Sequence, residues 1–286
     1  VLGFFVSFVG FSQDAKERNQ ENINVNKFRQ LYQEFSSPNM FRTASGAPGP
    51  AYYQQQADYK MDIELDDENK RIYGSETITY TNNSPDNLEY LWVQLDQNIR
   101  KKDSPSLLID GGGVSPAYLP SGFTKEFLTD SFDGGFNIEY VVDENKNPLK
   151  HFVNQTMMRV DLPNILKSGE SFSFSIKWWY NIQDHVNQDG RSGYESFDKD
   201  GNRVYIIAQF FPRMAVYNEV EGWQNYQFWG DGEFALPFGN YDVKITVPSD
   251  HILDATGELQ NRKNVFSKEM IKRYNKAKKT YDKPVM

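Results

Sequence analysis

The sequence contains no cysteine, which excludes disulfides, thiolate zinc sites and cysteine nucleophiles. Histidine is almost as scarce: His151, His185 and His251 lie far apart, and no H-E-x-x-H pair occurs. The G-x-S-x-G pattern of a serine nucleophile is also missing. The sequence therefore shows no set of metal ligands or catalytic groups, and we expect the chain to bind no stoichiometric zinc and to be catalytically inactive by itself.

Positive charge is limited, because 39 acidic residues stand against 31 basic ones and the formal net charge is −8. Such a chain lacks the clustered Lys and Arg that bind phosphate backbones, which disfavours a nucleic-acid partner. The charge is uneven, however, since residues 262–286 contain nine Lys or Arg and only Glu269 and Asp282 as acids. This basic segment is either a solvated helix face or a docking surface for an acidic neighbouring domain.

A long apolar run occurs at the start of the chain, VLGFFVSFVGFS at residues 1–12. It is too short to span a bilayer as a helix, but it has the length of a signal-peptide apolar region. Gly10 and Ser12 suit cleavage before Gln13, and a buried strand is the alternative. We expect an exported protein, periplasmic or extracellular, with no membrane contact in its mature form.

Aromatic residues make up 15% of the chain, which is typical of sheets because flat side chains pack well on a pleated surface. Tyr59, Met61, Ile63 and Leu65 alternate with polar residues, which predicts a half-buried strand with an antiparallel return strand over residues 72–81. The sequence therefore predicts an all-β fold, a large saddle-like, sandwich-like antiparallel domain. Further strands are predicted at 88–95, 157–162, 171–180, 204–211 and 241–247, with a hairpin joining 194–197 to 204–207.

Two short helices are predicted outside these strands. Apolar residues recur at helical spacing over residues 24–35, before the Gly/Pro-rich linker at 43–50. Ser267 is a suitable N-cap for a second helix, with Glu269 in its first turn. The predicted organisation is a partial signal peptide at 1–12, a helix and linker at 13–50, a β domain at 51–261 and a basic helical segment at 262–286.

The most specific sequence runs from Tyr205 to Pro248, with QFFPRMAVY at 209–217, GEF at 232–234 and a strand that ends in Val-Pro. In this order the motifs resemble the N-terminal domain of the aminopeptidase N family, the gluzincin zinc metallopeptidases, and most closely its bacterial exported branch. The strand pair at 59–85 and TGELQ at 256–260 look like the same domain. The resemblance covers residues 59–286.

This resemblance implies a saddle-shaped, non-catalytic β domain that covers the active-site cleft of a thermolysin-like catalytic domain outside this sequence. Zinc would belong to that domain, so this chain would hold no cofactor of its own. Its partners would be its own catalytic domain and a peptide substrate, with proteolysis as the activity of the full-length protein.

Gln209 matches by position the family's Gln or Glu that helps hold the free amino terminus of the substrate. Its amide oxygen can accept a hydrogen bond from an ammonium group. Phe211 stands where many family members have an acidic residue, so a negative charge would have to come from Glu219, Glu221 or Glu233. The alternative is that Gln209 only satisfies backbone groups at a strand end.

Two other functions fit the same composition. The chain is a periplasmic β-sandwich module for glycan or peptide if its tryptophans form an exposed platform, although aromatic residues in a sheet are more often core. It is a structural domain for a partner if the basic segment is the docking surface. In the first of these alternatives, the exposed platform would consist of Trp178, Trp179, Trp223 and Trp229.

Overall fold

The structure is a computed structural model that describes residues 38–106, 117, 119–124, 132–186, 191–230, 232 and 234–285. These residues form mainly strands, with few and short helices, so the predicted all-β class is confirmed. The proposed signal peptide at 1–12 and the helix predicted at 24–35 lie outside the described residues. The chain divides after Pro248 into two compact units.

The described elements range from two-residue strands to strands of 11 residues, and the helices have at most 10 residues. The strands are β1 Gln56–Asp66, β2 Arg71–Thr81, β3 Leu88–Gln94, β4 Asn137–Asp143, β5 His151–Asn154, β6 Met157–Leu166, β7 Ser171–Asn181, β8 Gly193–Phe197, β9 Asn202–Ile206, β10 Arg213–Met214, β11 Tyr217–Asn218, β12 Gly222–Trp223 and β13 Tyr241–Thr246. The helices are a 3-10 helix at Asp96–Arg100, α1 Pro120–Phe123, α2 Arg262–Val265 and α3 Lys268–Ala277.

The larger sheet has the strand order β13-β1-β2-β7-β4. Its neighbours are antiparallel except β1 and β13, which run parallel with Tyr59 opposite Tyr241. Along β1, Tyr59 and Met61 are buried whereas Lys60 and Asp62 are exposed. This alternation confirms the strand pair that the period-two pattern predicts.

The second sheet, with the order β10-β3-β6-β5, shares one apolar core with the first. Leu91 and Val160 of this sheet and Phe174 of β7 have no exposed surface and belong to the same cluster. Trp178, the largest fully buried side chain, lies across Gly74 of β2, where a Cβ would overlap its six-membered ring. The arrangement is sandwich-like, and Gly74 leaves the room that Trp178 needs in the core.

The strand predicted at 204–211 is wrong in its second half. β9 ends at Ile206, and Ala208 then bonds to the Ser192 side chain instead of to a neighbouring strand. The prediction also missed β4, whose register shifts between Ile138 and Tyr140 and so breaks the alternation.

The second unit contains the helix that the sequence predicts near its basic residues. The Ser267 hydroxyl accepts a hydrogen bond from the Met270 N–H at 3.2 Å, which confirms Ser267 as the N-cap of α3. The Arg262 guanidinium lies 4.1 Å and the Lys278 ammonium 5.0 Å from the centroid of the Tyr274 ring. None of the residues described between 249 and 285 is buried, so this unit has no core of its own.

Candidate functional site

Gln209 lies between β9 and β10 in the left-handed backbone region, with φ of 50°. Three other non-glycine residues among those described share this conformation: Lys70, Lys146 and Gln155. Each of these three lies in a turn between successive strands, where left-handed residues are common. Gln209 has no hairpin turn around it, so other contacts must hold its backbone.

Gln97, in the 3-10 helix, provides the first of these contacts. Its Nε2 donates to the carbonyl oxygens of Ala208 at 3.2 Å and Gln209 at 3.0 Å, and its Oε1 accepts from Arg100 at 3.2 Å. The Gln97 side chain is only 1% exposed. A buried amide must find hydrogen-bond partners, and the carbonyl oxygens of Ala208 and Gln209 accept from the amide nitrogen of Gln97.

Ser192 provides the second contact, just before β8. Its hydroxyl donates to the Ala208 carbonyl at 2.7 Å and accepts from the Ala208 N–H at 2.8 Å. The buried amide of Gln183 in turn donates to the Ser192 carbonyl at 2.7 Å. Gln97, Gln183 and Ser192, here called the supporting cluster, thus fix the backbone immediately before and at Gln209.

The side-chain amide of Gln209 differs from its backbone, because it makes no hydrogen bond to any residue the structure describes. The side chain is half-buried, so it keeps access to solvent. A free amide can accept through its oxygen and donate through its nitrogen. No described residue therefore occupies the Gln209 amide oxygen, while buried side chains hold the backbone at residues 208 and 209. The interaction at the strand end uses the backbone carbonyl of Gln209 and not its side chain.

The next residues anchor the segment in the core. Phe211 packs edge-on against Tyr59 at 5.5 Å and Phe210 at 5.1 Å, with Tyr241 at 6.3 Å between ring centroids. Pro212, the next residue in the chain, is buried. Phe211, at the position where the resemblance implies an acid, is thus part of an aromatic cluster that packs at the edge of the sheet.

The three glutamates proposed as a source of charge have different environments. Glu219 forms an ion pair with Arg42, and its side chain is 4% exposed. Glu221 is exposed and accepts a hydrogen bond from Tyr226 at 3.2 Å. Glu233 lies outside the described residues. Arg42 therefore already neutralises Glu219, whereas Glu221 keeps an exposed carboxylate.

The tryptophans do not share one surface. Trp178 and Trp223 are 0% and 4% exposed, so neither can belong to an exposed platform. Trp179 follows Trp178 in β7 and faces the opposite side of the sheet, where the Arg71 guanidinium covers its ring at 4.6 Å. Trp229 is half-buried.

In the described part of the chain, no three His, Cys, Asp or Glu side chains come close enough together to hold a metal ion. None of the helices in that part has the length and apolarity needed to cross a bilayer.

The sequence motif pointed to Gln209 as a candidate, but nothing in it pointed to the supporting cluster. Gln97, Gln183 and Ser192 lie 112, 26 and 17 positions before Gln209, and no local pattern connects residues so far apart. Leu95 and Ile99 enclose three polar residues, Asp96, Gln97 and Asn98, so the sequence does not single out Gln97.

No protein-family model matches the sequence, and no curated protein matches it. Among solved structures, the M1 zinc metallopeptidase from Deinococcus radiodurans is similar over 74% of this chain and 38% of that chain, with 11% identity and a TM-score of 0.35. A mutant of the M1 enzyme from that organism, bound to a Tyr-ser-ala substrate, is similar over 75% and 39%, with 12% identity and a TM-score of 0.34. The chain thus spans under two fifths of these structures, and a likeness at this level assigns no family.

Proposed function

We propose that this chain is the non-catalytic N-terminal part of an exported zinc metallopeptidase, and that Gln209 helps bind the amino terminus of a peptide substrate. The observation that carries the proposal is the Gln209 amide, which has no hydrogen-bond partner among the described residues although its backbone is held by buried side chains. The motif at residues 209–217 is the reason for proposing a metallopeptidase, because it resembles the segment that contains the amine-binding residue of aminopeptidases.

The chemistry of an amide suits this role. A peptide's terminal ammonium group has three donors and needs acceptors once it leaves water. The Gln209 oxygen supplies one acceptor, and a hydrogen bond to a charged group contributes about 1.5 to 3 kcal/mol. The catalytic zinc would be held by a domain that this sequence does not include, and it would polarise the scissile carbonyl there. The residues of this chain would bind and orient the substrate.

The test uses the full-length protein with one peptide in two forms, with a free and with an acetylated amino terminus. We expect Gln209→Ala to lower kcat/KM about tenfold to a hundredfold for the free peptide, from the loss of one charged hydrogen bond. The acetylated peptide cannot form that bond, so its kcat/KM should barely change.

Gln155→Ala is the matched control, because Gln155 has the same residue type and left-handed backbone but lies in the β5–β6 turn. It should leave both peptides unaffected. Equal losses on the free and the acetylated peptide after Gln209→Ala would show that Gln209 is structural and would reject the proposed role.

A further inference from the structure

We propose that Gln97 and Ser192 are positioning residues, which keep the Ala208–Gln209 peptide in the conformation that presents the Gln209 amide to the substrate. This inference rests on the proposed function of Gln209. It adds residues that never contact the substrate and yet determine how well the site distinguishes a free from a blocked amino terminus.

The first argument is the conformation of Gln209. A left-handed backbone is unfavourable for a residue with a side chain, so it persists only where the surrounding structure holds it. At Lys70, Lys146 and Gln155 a turn between strands does so. At Gln209 the hydrogen bonds from Gln97 and Ser192 to residues 208 and 209 take that place.

The second argument is the burial of the supporting cluster. Gln97, Gln183 and Ser192 are 1%, 2% and 5% exposed, and apolar side chains would fill such positions without a need for hydrogen bonds. Their hydrogen bonds converge on two consecutive residues, directly or through Ser192. Buried polar networks of this kind fix a unique local geometry, here that of residue 209.

The third argument concerns the result of losing a donor. Without Gln97 Nε2, the carbonyl oxygens of Ala208 and Gln209 lose a shared partner, and Gln209 can relax to the more favourable negative φ. Rotation about φ redirects every atom beyond it, so the amide oxygen would leave the position where it meets the ammonium group. Displacements of about 1 Å in a positioning group can lower rates about a hundredfold.

The experiment compares Gln97→Met with Gln55→Met in the full-length protein. Methionine keeps the length of glutamine and removes its hydrogen bonds. Gln55 is a matched control, because it is 4% exposed and its side-chain amide, like that of Gln97, both donates and accepts, to Asn82 Oδ1 at 3.1 Å and from the Asn83 N–H at 2.6 Å. The measured quantity is the ratio of kcat/KM for the free peptide to that for the acetylated peptide.

We expect Gln97→Met to lower this ratio about tenfold, whereas Gln55→Met leaves it unchanged even if stability falls equally. In a Gln209→Ala background, Gln97→Met should have no further effect on the ratio, because both changes remove the same contact. Ser192→Ala, which removes the hydroxyl bonded to Ala208, serves as the second variant if Gln97→Met does not fold, and it should lower the ratio in the same way.

The outcomes separate the two proposals. If Gln209→Ala lowers the ratio but Gln97→Met and Ser192→Ala do not, the positioning role is wrong while the role of Gln209 stands. If Gln55→Met lowers the ratio as much as Gln97→Met, the effect is general destabilisation and the positioning role is again rejected. If Gln209→Ala leaves the ratio unchanged, the proposed function itself fails, and this inference fails with it.

Discussion

Arg213 and Asp96 form a buried ion pair, with Nη2 of the guanidinium 2.7 Å and Nε 3.0 Å from the same carboxylate oxygen. Asp96 precedes Gln97 and Arg213 follows Gln209 by four residues, so the ion pair connects the two chain segments that the supporting cluster also joins. Burial raises the pKa of Asp96, and the Arg213 charge opposes this rise. The other carboxylate oxygen has no hydrogen-bond partner in the described structure.

Removing the cation should therefore be costly. We expect Arg213→Met to lower the free energy of unfolding by about 3 to 5 kcal/mol, because it leaves the Asp96 carboxylate buried and unpaired. Arg203→Met is the control, since the Arg203–Asp67 pair at 3.0 Å is about one-third exposed and should contribute under about 1 kcal/mol. Urea denaturation measures both, and equal losses would contradict a special role for the buried pair.

The left-handed backbone of Gln209 predicts a gain in stability when its side chain is removed completely. Gln209→Gly should raise the free energy of unfolding by about 0.5 to 1 kcal/mol, because glycine adopts positive φ without a Cβ clash. Gln209→Ala keeps the Cβ and should give no such gain. Thermal unfolding of the two variants checks this, and a loss of stability in the glycine variant would show that the residue is not strained.

The buried carboxyl of Glu76 predicts that the stability of the fold depends on pH. It is fully buried in β2, where burial raises its pKa well above the ordinary value, opposed by the nearby Trp178 indole. Neither carboxyl oxygen has a hydrogen-bond partner in the described structure. The neighbouring ionisable groups include Tyr59 and Tyr241, whose pKa values are raised first by their own burial and further by the Glu76 charge.

The sign follows from linkage. The folded state keeps the Glu76 proton and the unfolded state releases it above about pH 4.3, so this contribution to stability is full below that pH and falls as the pH rises. The loss is about 1.4 kcal/mol per pH unit until the folded pKa is reached. Glu76→Gln should therefore be more stable than the parent at pH 8 and similar at pH 4.

Urea denaturation at pH 4, 6 and 8 measures this difference between Glu76→Gln and the parent. Exposed Glu64 of β1 provides the control variant Glu64→Gln, which should follow the parent at every pH. Parallel pH profiles for Glu76→Gln and the parent would show that the carboxyl does not titrate with folding.

The packing of Phe211 predicts that an acidic residue at this position would destabilise the fold. Phe211→Glu would place a carboxylate among the rings of Tyr59, Phe210 and Tyr241. We expect a loss of about 2 to 4 kcal/mol in unfolding free energy from lost packing and charge burial. Phe211→Leu should cost only about 1 kcal/mol. A Phe211→Glu variant as stable as the parent, by urea denaturation, would show that the aromatic cluster does not depend on this ring.

The sequence predicted the strands that carry a clear alternation, because one buried and one wet face leave a period-two pattern. β1, β2 and β7 are of this kind. β4 was missed, since its exposed residues Tyr140 and Glu139 sit beside an irregular register. The end of β9 was misplaced because the cause, the Ser192 hydroxyl, lies 16 positions away from Ala208.

The candidate site also shows the limit set by distance along the chain. Gln209 could be proposed as a candidate because it lies inside a continuous motif. Its left-handed backbone could not be predicted, since glutamine has no preference for positive φ and the residues that impose it are distant in sequence. The ion pair of Glu219 with Arg42, 177 positions apart, was hidden for the same reason.

The parallel pairing of β1 with β13 determines when the larger sheet can be completed. Its partners are separated by about 180 residues, as shown by the hydrogen bond from the Asn240 N–H to Asp58 across 182 positions. During synthesis β1 and β2 can pair as soon as they emerge, but β1 keeps an open edge until Tyr241–Thr246 has been made. An open strand edge is a template for pairing with other chains. Nascent chains that end before β13 should therefore associate with one another, and the full sheet should form late and slowly.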